Sequence, residues 1–401
     1  MKRIAYLLHR FPAVTDTFIK REIRSLQELG TEVQVISVWR PTDSETTPQI
    51  LAQWADDTYF VLPRPIWSIA RSVITSLVRF RARFVACVRL AVSTSRPGAR
   101  GFIYQVAYLL EAIIVAERLR EHKIHHIHNH IGDQSGTVTM LAACLAQVSY
   151  SITFHGWPVF FDAKYSRIKE KVRGARFTRS ISYFCRSQLM MFSDTDDPGP
   201  FKIVHCGLKM EKYNFRPPKP EVKTLFCAAR LSPEKGIAVT FHALKRLRHS
   251  GYDLSLRLAG NGPSRKQLEE LAIQLQITDR VIFLGNLTED EVIQELEACD
   301  LFVLSSFVEG IPVSAMEAMA IGVPVIATNI AGTSELVEDG ATGLLVRPSD
   351  SQALADAIVR MMKDYEFRVR VAELGRKKVA AEFDVDRESA RLNEYLLQSC
   401  D

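Results

Sequence analysis

The chain has 401 residues, of which 47% are apolar and 24% charged, with a net charge of +5. That length exceeds what one hydrophobic core usually serves, and the composition excludes disorder on a large scale. Lys plus Arg less Asp plus Glu is 26 − 17 = +9 over residues 1–200 and 25 − 29 = −4 over residues 201–401, so the first half suits an anionic partner or carries a solvated basic face.

The opening, MKRIAYLLHRFP, has a strand-like apolar run at Ile4–Leu8, too short for a secretory signal. A helix is predicted over 17–29, with Asp16 placed to cap it. The next run is Val33–Val38. Residues 66–92 form an Arg-studded apolar helix or helix pair, with arginines at 71, 79, 81, 83 and 89. Such a segment could lie on an anionic membrane, or could simply bury one face. The longest apolar stretch, Gly101–Ala116, is interrupted by Gln105 and Glu111 and falls short of a span. Further runs follow at Ile124–His128, Ile152–Phe154, Ile181–Phe184 and Ile203–Val204.

The segment Tyr213–Val222 then places prolines at 217, 218 and 220, where neither helix nor central strand can continue. Beyond it come runs at Leu225–Ala228, Leu254–Ala259, Val281–Leu284, Leu301–Leu304, Pro324–Ala327 and Leu344–Val346. Helical stretches lie at 236–249, 264–276, 288–298 and 350–363, and the tail over 366–401 reads as helices broken at Phe383 and Asp384. Two sets of six strands alternating with helices predict an α/β protein with two doubly wound parallel-sheet domains. Seven single cysteines, none in a C-x-x-C pair, suggest neither a zinc site nor a disulfide framework and fit a reducing compartment.

The densest chemical signal is DLFVLSSFVEGIPVSAMEAMAIGVPVIATNIAGTSELVEDGATGLLV. A strand ending near Leu304 leads through a loop to a helix with Pro312 in its first turn. Ligands bind at that edge of a doubly wound sheet, and a helix N-terminus there favours phosphate. Glu309 and Glu317 frame the unit and can accept paired hydroxyls of sugars and riboses. Arg230 and Lys235, in FCAARLSPEKGI, supply the cations a diphosphate needs. AGNGP at 259–263 adds a turn that lets the backbone come close to a ligand.

Together these segments resemble the retaining GT-B glycosyltransferases of family 4. The resemblance rests on Glu309–x7–Glu317 with EGIP, and on ARLSPEKG, LAGNGP, RVIFLGNL and ATGLLV in order, over about residues 222–350. FPAVTDTFIKREIRSLQELGTEVQVISV and HNHIGDQSGTVTMLAACLAQVSYSITFHG resemble the bacterial exopolysaccharide and colanic-acid-type subgroup. Thr15 and Asp16 stand where that subgroup has Ser and Glu, and Ala331 replaces the first of a glycine pair.

The resemblance implies two Rossmann-like domains facing across a cleft. The acceptor-binding domain would be 1–212, completed by a C-terminal helix at about 377–401; the donor-binding domain would be 213–376. Glu309 would bind the donor sugar and Glu317 the ribose, with Gly310 and Ile311 meeting the sugar or distal phosphate. Arg230 and Lys235 would neutralise the diphosphate. Gly260, Asn261 and Gly262 would line the donor site, and Gly285 and Asn286 would hold the base. His155, in TFHG, would sit across the cleft by the donor sugar, while Thr15, Asp16, Thr17, Phe18, His128 and His130 would serve the acceptor.

The implied reaction transfers a sugar with retention from a nucleotide-sugar to a glycan or lipid-linked acceptor, in exopolysaccharide or cell-surface polysaccharide synthesis. Charge stabilisation of the leaving diphosphate would drive it, without a cofactor or divalent metal. The five histidines of HKIHHIHNH tempt a metal reading, but no acidic or cysteine pattern accompanies them. Nucleic acid is not an expected partner, because no recognised module is present. The chain reads as cytoplasmic, with a place at the inner face of the inner membrane. An epimerase of the same fold, or a binding protein built on it, are the rival readings.

Overall fold

The computed structural model describes residues 2–43, 45–156, 160–163 and 165–400, the side chain of Phe80 excepted. Its chain divides into two compact units, Met1–His205 with Asp386–Asp401, and Cys206–Val385.

The first unit runs β1 (Arg3–Arg10), α1 (Thr17–Glu28), β2 (Glu32–Trp39), α2 (Pro48–Trp54), β3 (Thr58–Leu62), α3 (Ile66–Phe80), α4 (Ala82–Thr94) and α5 (Ala99–Glu121). It continues with β4 (His126–His130), α6 (Gln134–Ala146), β5 (Ser149–Phe154), α7 (Ile168–Gly174), β6 (Phe177–Ser180), α8 (Tyr183–Ser193) and β7 (Phe201–Ile203). The strands pair in parallel in the order β3-β2-β1-β4-β5-β6-β7. Ile4–Leu8 are buried throughout, as expected of a central parallel strand covered on both faces.

The sequence pattern gives six strands here and the structure seven. TYFVL of β3 is a short edge strand between Asp57 and Pro63, an apolar run that the sequence reading passed over. The run Ile181–Phe184 is not a strand. The sixth strand is Phe177–Ser180, and Ser182 starts α8 by accepting the Cys185 amide at 3.0 Å. The strand expected at Ile124–His128 lies two residues later. The 66–92 segment is a helix pair, α3 and α4, joined at Arg81 with a φ of 33°. Helix α5 is long and apolar enough, by length and composition, to cross a membrane, but Ala112–Ala116 within it are buried, and it packs on α6.

The second unit runs β8 (Thr224–Ala228), α9 (Ile237–His249), β9 (Ser255–Ala259), α10 (Arg265–Gln274), β10 (Val281–Gly285), α11 (Glu289–Ala298), β11 (Leu301–Leu304) and α12 (Val313–Ile321). Then come β12 (Val325–Thr328), α13 (Thr333–Leu336), β13 (Leu344–Val346), α14 (Ser351–Lys363) and α15 (Tyr365–Glu382), with α16 (Val385–Gln398) closing the chain. Its sheet is again parallel, ordered β10-β9-β8-β11-β12-β13. In each unit the order reverses beside the first strand, at β1/β4 and at β8/β11, where a doubly wound sheet opens a crevice at its carboxyl edge.

The units part after His205, earlier than the proline-rich segment suggests. Leu208 pairs with Asp384 as an isolated bridge, and a Cβ on Gly207 would lie 2.5 Å from backbone of Val385. Residues 206–212 and 377–385 therefore stay with the second unit, and α16 returns to the first. There Leu392 and Leu396 join the core with Ile4, Ile19 and Ile23, and Ser25 and Thr31 bond Asp386 and Asn393.

Candidate active site

In the second unit the loops after β8 and β11 meet at the switch point. Gly236 adopts a φ of +57°, and a Cβ there would lie 2.2 Å from the Ser305 carbonyl oxygen. Only glycine permits that approach. Ser305 then donates to the Gly236 carbonyl at 2.9 Å, and the Phe307 amide donates to the Glu234 carbonyl at 2.8 Å. These contacts set Lys235 beside Glu309. The Lys235 ammonium donates to Glu309 Oε1 at 2.8 Å, and the Ser306 hydroxyl donates to the same oxygen at 2.6 Å. Glu309 is 8% exposed. Arg230, in the same loop, is exposed.

Pro312 is the N-cap residue of α12 rather than part of its first turn. Gly310 and Ile311 lie just before it, backed by the β12–α13 loop, where a Cβ on Gly332 would come within 2.0 Å of the Gly310 carbonyl oxygen. Ala331 takes a φ of 42°, a left-handed conformation that costs alanine roughly 1–2 kcal/mol and that glycine adopts freely. Glu317 lies one turn into α12, buried, and accepts the Tyr213 hydroxyl at 3.1 Å. Tyr213 was not foreseen as a site residue; it lies at the head of the proline segment and reads there only as linker.

The two remaining donor-side segments also converge. The Gly260 amide donates to the Gly285 carbonyl at 2.6 Å, and the Leu231 amide to the Asn261 carbonyl at 3.0 Å. Cβ atoms on Gly260 and Gly262 would lie 2.0 Å and 2.4 Å from the carbonyl oxygens of Ala229 and Leu231. The glycines of this turn thus let three loops close on one another, with Asn261 and Asn286 exposed. Arg265, also unforeseen, places its guanidinium over the Phe283 ring and within 4.0 Å of where a Gly285 Cβ would be.

The first unit holds a different kind of cluster. Glu22, on the buried face of α1, accepts the Tyr6 hydroxyl at 2.8 Å and meets His130 Nε2 at 3.0 Å through one oxygen. Its other oxygen pairs with Arg179, whose guanidinium also donates to the carbonyls of Val204 and His205 at 2.9 and 3.0 Å. His130 Nδ1 faces His155 Nε2 at 3.0 Å, and the His155 ring lies 4.7 Å from that of Phe18. A carboxylate can only accept, so a hydrogen resides on His130 Nε2 and its Nδ1 is turned toward His155. Burial alone would raise the Glu22 carboxyl, but Arg179 and His130 hold it well below the usual carboxylate range. Burial, with His130 adding, keeps His155 well below the usual imidazole value. Glu22 and Arg179 were both missed in the sequence.

His128, expected to serve the acceptor, is fully buried, with its ring nitrogens 2.6 Å from the Ser151 hydroxyl and 2.8 Å from that of Thr153. It belongs to the core. Glu22, His128 and His130 offer ligand atoms within 4.8 Å of one another. Those atoms are already engaged as described, and Arg179 supplies the positive charge that the carboxylate needs.

The loop after β1 carries Thr15, Asp16, Thr17 and Phe18. Thr15 is exposed, and Thr17 and Phe18 are half-buried. Asp16 occupies the N-cap position of α1 without capping it; its carboxylate turns back to accept the Ala13 amide at 2.9 Å. Burial, opposed by that bond and by Lys20, pushes its pKa up to about 6. The loop after β4 is pinned by Lys171, a buried lysine that donates to the carbonyls of Gly132 and Asp133 at 2.9 and 2.6 Å.

Residues 209–378 match the family model of glycosyl transferases group 1. The chain is 26% identical to a protein of Salmonella typhimurium named for colanic acid biosynthesis, the glycosyltransferase WcaL, over 97% of this chain and 99% of that one. It is 25% identical to TuaC of Bacillus subtilis, named for teichuronic acid biosynthesis, over 87% and 92%. The crystal structure of Anabaena HepE in complex with UDP and glucose shares the fold, with a TM-score of 0.76 at 19% identity over 99% of this chain and 100% of that one.

Proposed function

We propose that the chain is a glycosyltransferase of the group 1 family, whose model matches residues 209–378, and that it moves a sugar, with retention, from a nucleoside-diphosphate-sugar to a glycan or lipid-linked acceptor. The product would enter a bacterial cell-surface polysaccharide, a reading that the relatives named for colanic and teichuronic acid synthesis support. The donor would occupy the second unit and the acceptor the first, at the inner face of the inner membrane.

The observation that carries the donor reading is the joining of Lys235 and Glu309 at 2.8 Å at the β8/β11 switch point, with the exposed Arg230 in the same loop as Lys235. A carboxylate alone would repel a diphosphate. Here an ammonium with three hydrogens can keep Glu309 and still reach a phosphate oxygen. Glu309 is then free at its second oxygen for sugar hydroxyls, and the Gly310–Ile311 backbone for the distal phosphate. As the bond from the anomeric carbon to the phosphate oxygen lengthens, charge grows on the diphosphate. Arg230, Lys235 and the start of α12 would stabilise it, fixed in advance. In a front-face reaction the leaving phosphate oxygen takes the acceptor proton, so Glu309 need not become covalently bound. Side chains supply the charge, and the reading needs no divalent metal. Glu317 would hold the ribose, sharing its carboxylate with Tyr213.

The test is thermal shift with UDP, GDP, ADP and their sugar conjugates, on the wild type, Arg230→Ala and Glu309→Ala. One nucleotide series should raise the melting temperature. Arg230→Ala should weaken the response to the free nucleotide diphosphate, and Glu309→Ala chiefly that to the sugar conjugate. An Arg230→Ala response equal to wild type would remove the phosphate site from that loop. Product anomeric configuration by NMR checks retention.

A further inference from the structure

Helix α3 faces the wrong way for an ordinary surface helix. Its apolar residues look outward: Ile66 is 85% exposed, Trp67 68%, Ile74 63% and Val78 67%. Trp67, Ala70, Ile74, Leu77 and Val78 recur at helical spacing and form one exposed stripe. The inward face holds Ser72 and Ser76, buried, with Ile69 and Val73 half-buried beside them. Ser72 donates to Glu117 of α5 at 2.6 Å, and Ser76 is fully buried. The same crossover between β3 and β4 exposes Val85 and Val92 on α4 and Phe102 and Ile103 on α5.

The charge of this crossover is one-sided as far as the middle of α5, before Glu111, Glu117 and Glu121. Residues 58–110 contain eight arginines and no Lys, Asp or Glu, so nearly all of the +9 over residues 1–200 comes from this stretch. Arg71, Arg79, Arg81 and Arg89 are exposed along α3 and α4. An exposed apolar stripe of this size calls for a cover. A second copy of the chain seated through the same face would set arginine against arginine with no acid between them. An anionic lipid surface answers both features: the stripe enters the acyl boundary, Trp67 rests at the headgroup level, and the arginines extend their charged ends to the phosphates.

We propose that the outward face of α3, continued on α4, docks the first unit on an anionic bilayer. The inference goes beyond the transfer reaction and rests on that reading only for its purpose, which is to bring the acceptor site to a lipid-linked substrate. Docking itself needs no donor and is measured without one.

The experiment is flotation with vesicles of phosphatidylethanolamine and phosphatidylglycerol, against vesicles of phosphatidylcholine. The wild type should float with the anionic vesicles only, and less so as salt screens the contact. Trp67→Ser/Ile74→Ser/Val78→Ser should abolish flotation. Arg79→Ser/Arg81→Ser/Arg83→Ser should weaken it by about five-fold per arginine, on the order of a hundred-fold in all. Both variants should keep the wild-type melting temperature and its nucleotide-induced shift, which separates lost docking from lost folding and from failure of the donor reading. Quenching of tryptophan fluorescence by brominated lipid should drop in Trp67→Phe, a change that keeps the ring. A wild type that fails to float, or a serine variant that floats as well as wild type, overturns the proposal. So does a dimer that the serine variant dissociates while vesicles go unbound, an outcome that gives the face to a second copy.

Discussion

Glu22→Gln removes one atom's worth of charge from the middle of the first unit, and its cost follows from what surrounds the carboxylate. Three donors converge on two oxygens: the Tyr6 hydroxyl, His130 Nε2 and the Arg179 guanidinium. Glutamine keeps one acceptor and brings two hydrogens into a place already full of them. Arg179, 1% exposed at its side chain, loses the carboxylate of Glu22 and keeps its bonds to the two carbonyls. Breaking a buried pair on one side costs about 3–5 kcal/mol. The unit spans 205 + 16 = 221 residues, a size at which each kcal/mol shifts the melting temperature by about 2–4 °C. A loss of about 6–20 °C is therefore expected by calorimetry at neutral pH, with faster hydrogen exchange at the amides of β1 and β4. The sign with pH is fixed as well. The folded carboxyl is held below its unfolded value of 4.5, so its stabilisation is complete above that pH and is lost as pH falls through the folded value. The gap between wild type and variant should narrow in acid. A Glu22→Gln protein melting within about 2 °C of wild type at pH 7 would refute the argument, since a buried ion pair of net value cannot be that cheap to break.

The other predictions concern single loops. Asp16→Asn keeps an acceptor for the Ala13 amide but no longer has to bury a charge. With a folded pKa of about 6 against 3.8, the wild-type carboxylate disfavours folding as pH rises from 3.8 to 6, by up to about 3 kcal/mol above that range. The variant should melt higher at pH 8 and equally at pH 3.5, yet turn over the acceptor more slowly if this loop serves it. An unchanged melting temperature at pH 8 would mean water reaches the carboxylate. Gly332→Ala should push the Gly310 carbonyl aside, because the added methyl would come within 2.0 Å of it. Donor KM should rise roughly ten-fold or more, about 1.4 kcal/mol, together with a lower melting temperature, because backbone rather than a flexible side chain must give way. An unaltered KM would show that the Gly310–Ile311 backbone is not in the donor site.

The loops of the candidate site in the second unit were legible because they are written locally. ARLSPEKG, AGNGP and EGIP are each a strand end plus the loop that follows it, and parallel winding delivers such loops to one edge of a sheet. What the pattern could not give was the fit among loops. Ser306, Tyr213 and Gly332 gain their roles from contacts across 3, 104 and 22 residues, to Glu309, Glu317 and Gly310 respectively. Helix α3 admitted two readings for a different reason. Periodicity identifies an apolar stripe but not which way it faces, and the buried stripe here is the one carrying Ser72 and Ser76.

The polar core of the first unit shows where a sequence can say more than was taken from it. Glu22 lies among Ile19, Ile23 and Leu26, all fully buried, on the inner stripe of α1. Arg179 interrupts FTRS, a strand that neighbours cover on both sides. Each position is one at which an unpaired charge would cost several kcal/mol. Opposite charges at two such positions in one domain constrain each other, because each must find a partner and neither has one on its own face of its own element. The parallel order β1-β4-β5-β6 then fills in the rest, since it brings His130 and His155, at or just past the ends of adjacent strands, next to the carboxylate that Arg179 holds. Arg179 and Glu22 thus fix His130 and, through it, the His155 ring, so the same pair that stabilises the unit orders the imidazoles at the carboxyl edge of its sheet.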